Sequence, residues 1–445
     1  MFSLNPWLVL LFFALLCPPI GFAQQDVKTI FTLTESIQLA EKNNLQIRSV
    51  KEKLKHSKKE QRIAKPFAMP SVSFTGNYTY FGELAKNVLP PFVPGADPVE
   101  ITFGAHHNLQ AGLAFKQPLF ASGRYLYTYQ SAKLNVQAAE EELKIKQKQL
   151  SFDVAQAFYG LLATMEFVKV SQSTVDLAKQ QLSISQKLFD SGASTNFDVL
   201  RAKVQLANAE SELIRAKNAI LIAKDAFKNL LNINQQDKVG IRGNFNLPKV
   251  QLDLHQLVQV ATENRPELNQ LSYLEQIKKK EVAMVKANAR PSLSLISNYQ
   301  LDENEKLSKM NRIWNIGLSL NYPIFDGLVT KAKIQRTELN IEQLALQKEQ
   351  TEDLVKFEVR SAYLKLMEAQ TLIEVQKETI EQAKEGVRLA NLQYENGLIT
   401  SVQLTDAQLA LTQAKVSRLL SLRDYAVGHA NLQKAIGVPI KKDKS

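Results

Sequence analysis

Several residue types are scarce in this chain of 445 residues, and each scarcity excludes a class of protein. There is one cysteine, Cys17, which excludes a disulfide-stabilised scaffold. Only 17 Gly and 15 Pro mark turns, so the elements between them are long, and long elements with few turns are usually helices. Beyond the first residues no stretch of about eighteen is uniformly apolar, so the sequence predicts no transmembrane helix.

Residue patterns that support chemistry are missing as well. The sequence has no Ser-His-Asp order, no Gly-rich phosphate loop and no cysteine pair. Its 5 histidines lack metal-ligand spacing on a shared face. We therefore expect no catalytic residue, no cofactor and no metal site, and we predict that the protein is not an enzyme.

The amino terminus has the pattern of an export signal. An apolar run over residues 7–16 ends before two prolines, and Gly21 and Ala23 have the small-x-small spacing of a signal-peptidase site. We predict a signal peptide over residues 1–23, with a short membrane anchor as the alternative. The residues on either side of Cys17 argue against its lipidation. The signal has no ionisable side chain, so the net charge of +11 belongs to the exported part, where anionic lipid, glycan or protein, but not nucleic acid, is the expected partner.

The exported part is predicted to be an internal duplication. Three pairs of segments align in the same order: Ala64–Ser73 with Val285–Ser294, Pro118–Phe120 with Pro323–Phe325, and Gly192 with Gly397. The predicted units are a first repeat over 24–233, a linker over 234–251, a second repeat over 252–438 and a basic tail over 439–445. Each repeat is expected to fold as helix, strand, strand, very long helix and helix.

Apolar residues spaced by seven predict the very long helices. They are Val154, Leu161, Val168, Val175, Leu182 and Phe189 in the first repeat, and Val359, Leu366, Ile373, Ile380, Val387 and Tyr394 in the second. A sustained heptad keeps one seam of a helix against a partner helix, as in a coiled coil. At about 1.5 Å per residue, an uninterrupted helix from Gly123 to Phe189 is about 100 Å long.

Alternating apolar and small polar residues predict strands over 71–81, 109–117, 292–301 and 313–322. Such alternation over about ten residues is typical of a lipid-facing, water-filled β-barrel, although a half-buried strand of a soluble sandwich has the same period. Four strands leave two edges that lipid cannot satisfy, and the smallest barrels have about eight strands. Two or three chains must therefore share a barrel, and the long helices and polar strand face favour three chains and twelve strands.

A set of short motifs occurs in the order found in a known family. They are Asn43-Asn44, Asn264 to Leu268, Arg290 to Leu293, Gln117 to Phe120, Tyr322 to Gly327, Leu188 to Gly192 and Gln393 to Gly397. Over essentially all of its exported part, the chain resembles the TolC family of outer-membrane efflux and secretion ducts. The resemblance implies a mainly α fold with a small transmembrane β part, in a homotrimer whose twelve-stranded barrel continues into a periplasmic α-helical barrel.

The function implied by this resemblance is a passive exit duct of a tripartite efflux or type I secretion system. Such a duct lies in the outer membrane, extends into the periplasm and is gated at its periplasmic tip. The implied partners are outer-membrane lipid, a periplasmic adaptor (membrane fusion) protein and an inner-membrane pump. An exported coiled-coil scaffold or adaptor protein with a small β domain is the alternative that the residues leave open.

The resemblance also implies candidate gate residues. Gly192 and Gly397 fall where the helical hairpins turn, and glycine permits the positive φ that ends a helix. Asp198 and Asp406 follow in the returning helices, and Asp406 matches a carboxylate that rings the closed entrance in the family. Gln403 stands where a second carboxylate occurs, so the constriction is expected to be less acidic. Charges that complement a helix dipole are the simpler interpretation of both aspartates.

Four prolines are expected at corners between strands and helices: Pro70, Pro118, Pro291 and Pro323. Proline has no backbone N–H, so it is confined to the ends, edges and bulges of strands. Each of these prolines therefore marks a place where the predicted sheet stops.

Overall fold

The structure, a computed structural model, describes residues 29–65, 69–91, 95, 98–246, 253–304 and 311–438. It is mainly helical, as the sequence predicts. The predicted signal peptide with Cys17 and the predicted basic tail lie outside the described residues. In the described part, no helix combines the length and the apolarity that crossing a membrane requires.

Two pairs of very long helices dominate the chain. In the first half the elements are β1 (Thr29–Phe31), α1 (Leu33–Asn43), α2 (Leu45–Ala64), β2 (Ser71–Tyr80), β3 (Ala85–Leu89), β4 (Val99–Phe103), β5 (His107–Phe120), α3 (Arg124–Asp190), α4 (Asn196–Leu231) and β6 (Val239–Ile241). In the second half they are α5 (Leu254–Asn264), α6 (Pro266–Asn288), β7 (Ser292–Asn304), β8 (Asn311–Asn321), α7 (Val329–Glu395) and α8 (Ser401–Ile436). Helices α3 and α7 have 67 residues each, and α4 and α8 have 36 each.

Each half has two helices before its first long strand where the sequence predicted one, and a single extended residue separates the two helices. Asn44 separates α1 from α2, and its side chain accepts hydrogen bonds from the N–H groups of Gln46 and Ile47 at 2.9 and 3.3 Å. Arg265 separates α5 from α6 with ψ of 119°, because the residue before a proline is driven out of the α conformation. An asparagine cap and a proline at the first helical position both start a new helix.

The four long strands form one antiparallel sheet in the order β2-β5-β7-β8. Their register gives the sheet two different faces. One face carries rows such as Phe74, Leu113, Tyr299 and Trp314, and the other carries rows such as Ser73, Ala114, Asn298 and Asn315. The apolar face is uncovered, with Phe74 and Trp314 70% and 71% exposed. Strands β2 and β8 are the two edges of this sheet.

The short strands form two further pairs. In the first half β3 and β4 make an antiparallel hairpin between β2 and β5, and Lys86 pairs with Glu100 across it at 2.8 Å. Strand β6, inside the predicted linker, pairs in parallel with β1 near the amino terminus. Part of the linker is therefore ordered by a partner that is distant in sequence, which local residue patterns do not reveal.

The predicted heptad seams form the apolar cores of the two long hairpins. Buried seam residues are Val154, Leu161 and Val175 in α3, and Val359, Leu366, Ile380, Val387 and Tyr394 in α7. They pack against the returning helices, for example on Leu213 of α4 and Leu411 of α8. Phe189 departs from the prediction because it is 40% exposed at the end of α3. The buried seam therefore reaches the turn in the second hairpin and stops short of it in the first.

Candidate functional site at the hairpin turns

The candidate gate residues lie at the turns that join α3 to α4 and α7 to α8. Gly192 and Gly397 have φ values of 74° and 69°, and their N–H groups bond to the carbonyls of Phe189 and Tyr394 at 2.9 and 3.0 Å. The next N–H group in each turn reaches one residue further back, at 2.8 Å in both. This is a Schellman ending, in which a left-handed residue lets the last carbonyls of a helix find donors.

Both returning helices begin with a capping box, and two predicted site residues belong to these boxes. In α4, Thr195 Oγ1 donates to Asp198 Oδ2 at 2.8 Å, and the N–H of Asp198 donates back to Thr195 Oγ1 at 3.3 Å. In α8, the N–H of Thr400 donates to Gln403 Oε1 at 2.9 Å, and the N–H of Gln403 donates back to Thr400 Oγ1 at 3.4 Å. Asp198 and Gln403 thus hold the third position of their helices and start them in the same way.

Polar side chains join the two hairpins beside these turns. Four hydrogen bonds join the two hairpins there: Ser401 to Asp198 at 2.8 Å, Gln181 to Thr405 at 3.0 Å and to the carbonyl of Ser401 at 3.5 Å, and Ser185 with Tyr394 at 2.9 Å. Farther from the turns, where α3 contacts α8, the hydroxyls of Thr174 and Thr412 lie 3.3 Å apart. A net hydrogen bond contributes only about 1 kcal/mol, whereas each buried leucine of the seams contributes about 2 kcal/mol or more. Each hydrogen bond between hairpins is therefore weaker than a buried seam contact, and Leu177, Ile184 and Leu188 of α3 add apolar packing against the second hairpin.

The two candidate aspartates have different surroundings. Partial burial is the largest single influence on Asp198 and raises the pKa of its carboxyl, but hydrogen bonds from Thr195, Ser401 and Ser194 together outweigh it, so the pKa lies below its ordinary value. Asp406 is exposed on α8 and takes part in no hydrogen bond or ion pair with the described residues. The chain thus brings Asp198 to the second hairpin and leaves the side chain of Asp406 exposed.

The sequence analysis missed the partners of Asp198 and Tyr394 across the hairpins. Gln181 and Ser185 are buried in α3 one turn apart, so they face the second hairpin together, Gln181 toward α8 and Ser185 toward α7. Two polar residues at helical spacing beside an apolar heptad are a pattern that is visible in the sequence. The identity of the partners is not in that pattern, because Thr405 and Tyr394 come from the other half of the chain.

Two uncovered apolar stripes on the long helices were also missed. On α7 the stripe consists of Leu339, Leu346, Leu354, Phe357, Leu364, Leu372, Val375, Leu389 and Leu392, and on α4 it consists of Leu200, Val204, Ile214, Leu221 and Ile222. These are the α7 stripe and the α4 stripe, and Phe357 is 67% exposed. Their spacing is that of coiled-coil positions, and it would have shown a second seam on each helix. Contiguous apolar surface of this extent marks an interaction site.

The corner prolines occupy different positions relative to the strands. Pro70 and Pro291 immediately precede β2 and β7, and Pro323 follows β8. Pro118 does not end its strand, because β5 continues to Phe120 and its pairing with β7 shifts register between these two residues. The expectation of a corner at Pro118 is therefore wrong in detail. The residue lies at a bulge, which accommodates a residue without an N–H inside a sheet.

Long coiled-coil hairpins that carry a two-faced sheet define a class of protein, that of the solved outer-membrane channels. The Campylobacter jejuni CmeC outer membrane channel has this fold, with a TM-score of 0.78 at 18% identity over 93% of this chain and 87% of that chain. The chain belongs to the outer membrane efflux protein family, whose profile matches residues 36–232 and 257–438. The family and the outer-membrane location predicted from the sequence are confirmed.

The curated relatives that the chain matches are distant from it in sequence. The probable efflux pump outer membrane protein TtgC of Pseudomonas putida is 22% identical over 432 residues, which cover 94% of this chain and 86% of that protein. The multidrug resistance outer membrane protein MdtP of Escherichia coli is 23% identical over 307 residues, 67% of this chain and 62% of MdtP. The match thus spans less than two thirds of MdtP and most of TtgC.

Proposed function

We propose that the protein is the outer-membrane exit duct of a tripartite efflux or type I secretion system, a passive channel gated at its hairpin turns. Membership of the outer membrane efflux protein family supports an exit duct. In this proposal the helices extend through the periplasm, and energy for transport comes from an inner-membrane pump. The duct supplies a path and a gate, and the pump selects the substrate.

The observation that carries the proposal is the sheet with an uncovered apolar face and two edge strands. An unpaired backbone N–H or C=O group in lipid costs several kcal/mol, so β8 of one copy is expected to pair with β2 of the next. Three copies then close a twelve-stranded barrel with its apolar face toward lipid and its polar face toward water. Two copies would give about eight strands, and side chains fill the interior of a barrel of that size.

The helices support the same head-to-tail assembly. In a ring of three, the α4 stripe of one copy packs on the α7 stripe of the next, so both stripes leave water. A contact between two different surfaces repeats around a rotation axis and closes a ring, which removes every unpaired edge. The helical ring and the β-barrel are therefore proposed to be two ends of one tube in a homotrimer.

The test is the protein mass of the particle extracted in mild detergent, followed by its conductance in a planar bilayer. We expect three chain masses and a pore. Phe357→Asp places a carboxylate in the α7 stripe and is expected to reduce the trimer fraction at least tenfold, whereas Lys356→Asp places one on the adjacent solvated position and leaves the trimer intact. A monomer, or release by salt alone, would instead support an exported coiled-coil scaffold.

For the gate, we propose that opening untwists the hairpins that end at Gly192 and Gly397, with the polar bonds between hairpins breaking first. Asp198 and Asp406 lie in this region, where a threefold axis would bring three copies of each carboxylate together and favour bound cations. Cysteines replacing Asp198 and Ser401, which are in hydrogen-bond contact, would lock the two hairpins together as a disulfide. We expect oxidation to abolish export and reduction to restore it. Undiminished export from the oxidised protein would overturn the gate assignment.

The turns are also the proposed docking surface for a periplasmic adaptor protein. Phe197 and Leu398 project beside the two turns and are 70% and 74% exposed. Exposed large apolar side chains at the end of a long hairpin are suited to a partner that covers them. Adaptor binding there would act directly on the bonds that hold the gate.

A further inference from the structure

A cavity of 540 Å³ lies between α3, α8 and the segment that follows β6. Its apolar wall includes Leu162, Phe245 and Leu419. The lack of a side chain at Gly243 allows the segment after β6 to lie close to α3, since a Cβ at this position would lie 2.8 Å from Cε1 of Phe158. Phe245 stacks on Tyr159 with ring centroids 6.0 Å apart, which fixes another part of the wall. The space is therefore a groove that is open to solvent on one side, with a volume in the range of small-molecule sites.

Two cations on α8 line this cavity without a carboxylate partner. Among the described residues no carboxylate oxygen lies within ion-pair distance of Lys415 or Arg418. Lys415 Nζ has a single polar contact in the described part, with Ser173 Oγ at 3.3 Å, and Arg418 Nε is buried with no hydrogen-bond partner there. Because a buried guanidinium N–H is costly to leave unsatisfied, this donor calls for an acceptor.

The neighbouring carboxylates are already neutralised by other lysines. Glu166, which also lines the cavity, accepts from Lys169 at 2.6 Å, and Glu381 accepts from Lys384 at 2.8 Å. Each of these carboxylates is in contact with a lysine, and the charge of Arg418 also acts on Glu381 and helps to lower the pKa of its carboxyl, but Lys415 and Arg418 form no contact ion pair of their own among the described residues. Burial, with a smaller contribution from the charge of Lys384, lowers the pKa of Lys415, as expected for a cation without an anion beside it.

We propose that this cavity binds an amphiphilic carboxylate, a single anionic head on an apolar body. The head lies between Lys415 and Arg418, whose planar fork matches a carboxylate in two parallel hydrogen bonds. The body lies along Leu162, Phe245 and Leu419. A bare anion would leave the apolar wall wet, and a neutral amphiphile would leave the two cations without an acceptor, so both features of the cavity select the same ligand class.

The site is separate from the hairpin turns and from the proposed subunit contacts. At about 1.5 Å per residue, about 25 Å of helix separates Arg418 from Ser401 at the start of α8. Its walls come from α3, α8, the segment after β6 and the buried Ile380 of α7, whereas the proposed subunit contacts use the α4 stripe and the α7 stripe, to which Ile380 does not belong. Binding can therefore be measured without transport, and its failure would leave the proposed duct function untouched.

The test is calorimetric titration of the exported full-length chain, reconstituted in lipid nanodiscs, with octanoate below its micelle concentration. We expect saturable binding, and at least tenfold weaker binding of acetate, which lacks the apolar body, and of octanol, which lacks the charge. Arg418→Gln and Lys415→Gln should each weaken octanoate binding at least tenfold. Arg423→Gln is the matched control, because Arg423 lies on the same helix, is bonded to Asp424 and does not line the cavity.

Particle mass and helical circular dichroism confirm that each variant is folded before titration. Octanol binding as tightly as octanoate would mean partition into lipid or an apolar groove and would overturn the proposal. So would octanoate binding that both cavity variants retain, or no octanoate binding at all. Loss of affinity equal in Arg423→Gln and Arg418→Gln would show a general charge effect and would equally reject the site.

Discussion

The two hairpin turns share one backbone and differ in the side chains that hold it. Both combine a glycine of positive φ with a capping box in the returning helix. In the first turn the aromatic residue Phe189 is exposed and the box contains the carboxylate of Asp198; in the second, Tyr394 is buried and the box contains the amide of Gln403. The glycine and the capping box therefore determine the backbone of the turn, whereas the contacts between hairpins differ between the two turns because their side chains differ.

The largest expected difference is between the two aromatic residues. Tyr394→Ala removes a ring that is 4% exposed and packs on Leu404, so we expect a loss of about 3 kcal/mol in the free energy of unfolding. Phe189→Ala removes a ring that is 40% exposed and should cost less than about 1 kcal/mol. Thermal unfolding followed by helical circular dichroism measures both. Equal losses would show that a neighbouring subunit buries Phe189, which would end the asymmetry of the turns in the assembly.

The next effect compares the two capping boxes. Asp198→Ala removes the acceptor for Thr195, Ser194 and Ser401, and charged acceptors contribute more than neutral ones, so we expect a loss of about 2 kcal/mol. Gln403→Ala removes a neutral acceptor for Thr400 alone and should cost about 1 kcal/mol. Under the proposed function, only Asp198→Ala also breaks a bond between hairpins, so it should raise the open probability in planar bilayers while Gln403→Ala does not. A larger effect from Gln403→Ala would reverse the assignment.

The stability that the two capping boxes contribute should differ in its dependence on acid pH. The hydrogen bonds to Asp198 place the pKa of its carboxyl below the ordinary value, so its contribution to stability is present above the unfolded pKa of about 4 and is lost as pH falls through the lower folded value. Asp198→Asn should therefore flatten the fall in unfolding temperature below about pH 4 relative to the unsubstituted protein. Gln403→Asn has no titrating group and is the control. An unchanged acid profile in Asp198→Asn would show that other carboxylates dominate.

A structural feature could be predicted from the sequence when neighbouring residues determine it. Heptads at Leu161 and Leu366 predicted buried seams, because helix periodicity and burial are set by near neighbours, and alternation in the strands predicted a two-faced sheet. The pairing of β5 with β7 and of β1 with β6 joins residues far apart in the chain, so no local pattern contains it. The same holds for the site: Gly192 and Gly397 were visible from turn chemistry, but the bonds of Gln181 and Ser185 to α7 and α8 were not.

The turn glycines provide a smaller and symmetric effect. An added Cβ on Gly192 or Gly397 meets nothing within 4 Å, so only the positive φ opposes a side chain. We expect Gly192→Ala and Gly397→Ala each to cost about 1 kcal/mol by thermal unfolding. Gly437→Ala is the sterically limited comparison, because its Cβ would also lie 2.9 Å from the carbonyl oxygen of Asn264 and should cost more. A clear difference in stability between the two turn variants would show that the shared positive φ is not the only determinant of the cost.

The smallest expected effect lies at the opposite ends of the long helices. Before α3 the left-handed pair is Ser122 and Gly123, and before α7 it is Gly327 and Leu328, so the second corner has a leucine at φ of 64° where the first has a glycine at 83°. A left-handed leucine costs about 1 kcal/mol, and the greater freedom of glycine in the unfolded chain offsets part of that. Leu328→Gly should therefore raise stability by less than about 1 kcal/mol, while Gly123→Ala should lower it, since its Cβ would lie 3.1 Å from the ring of Tyr127. Leu328 is 63% exposed in the single chain, so a loss of stability in Leu328→Gly would mean that its side chain contacts lipid or a second copy, and that the strain is retained for that contact.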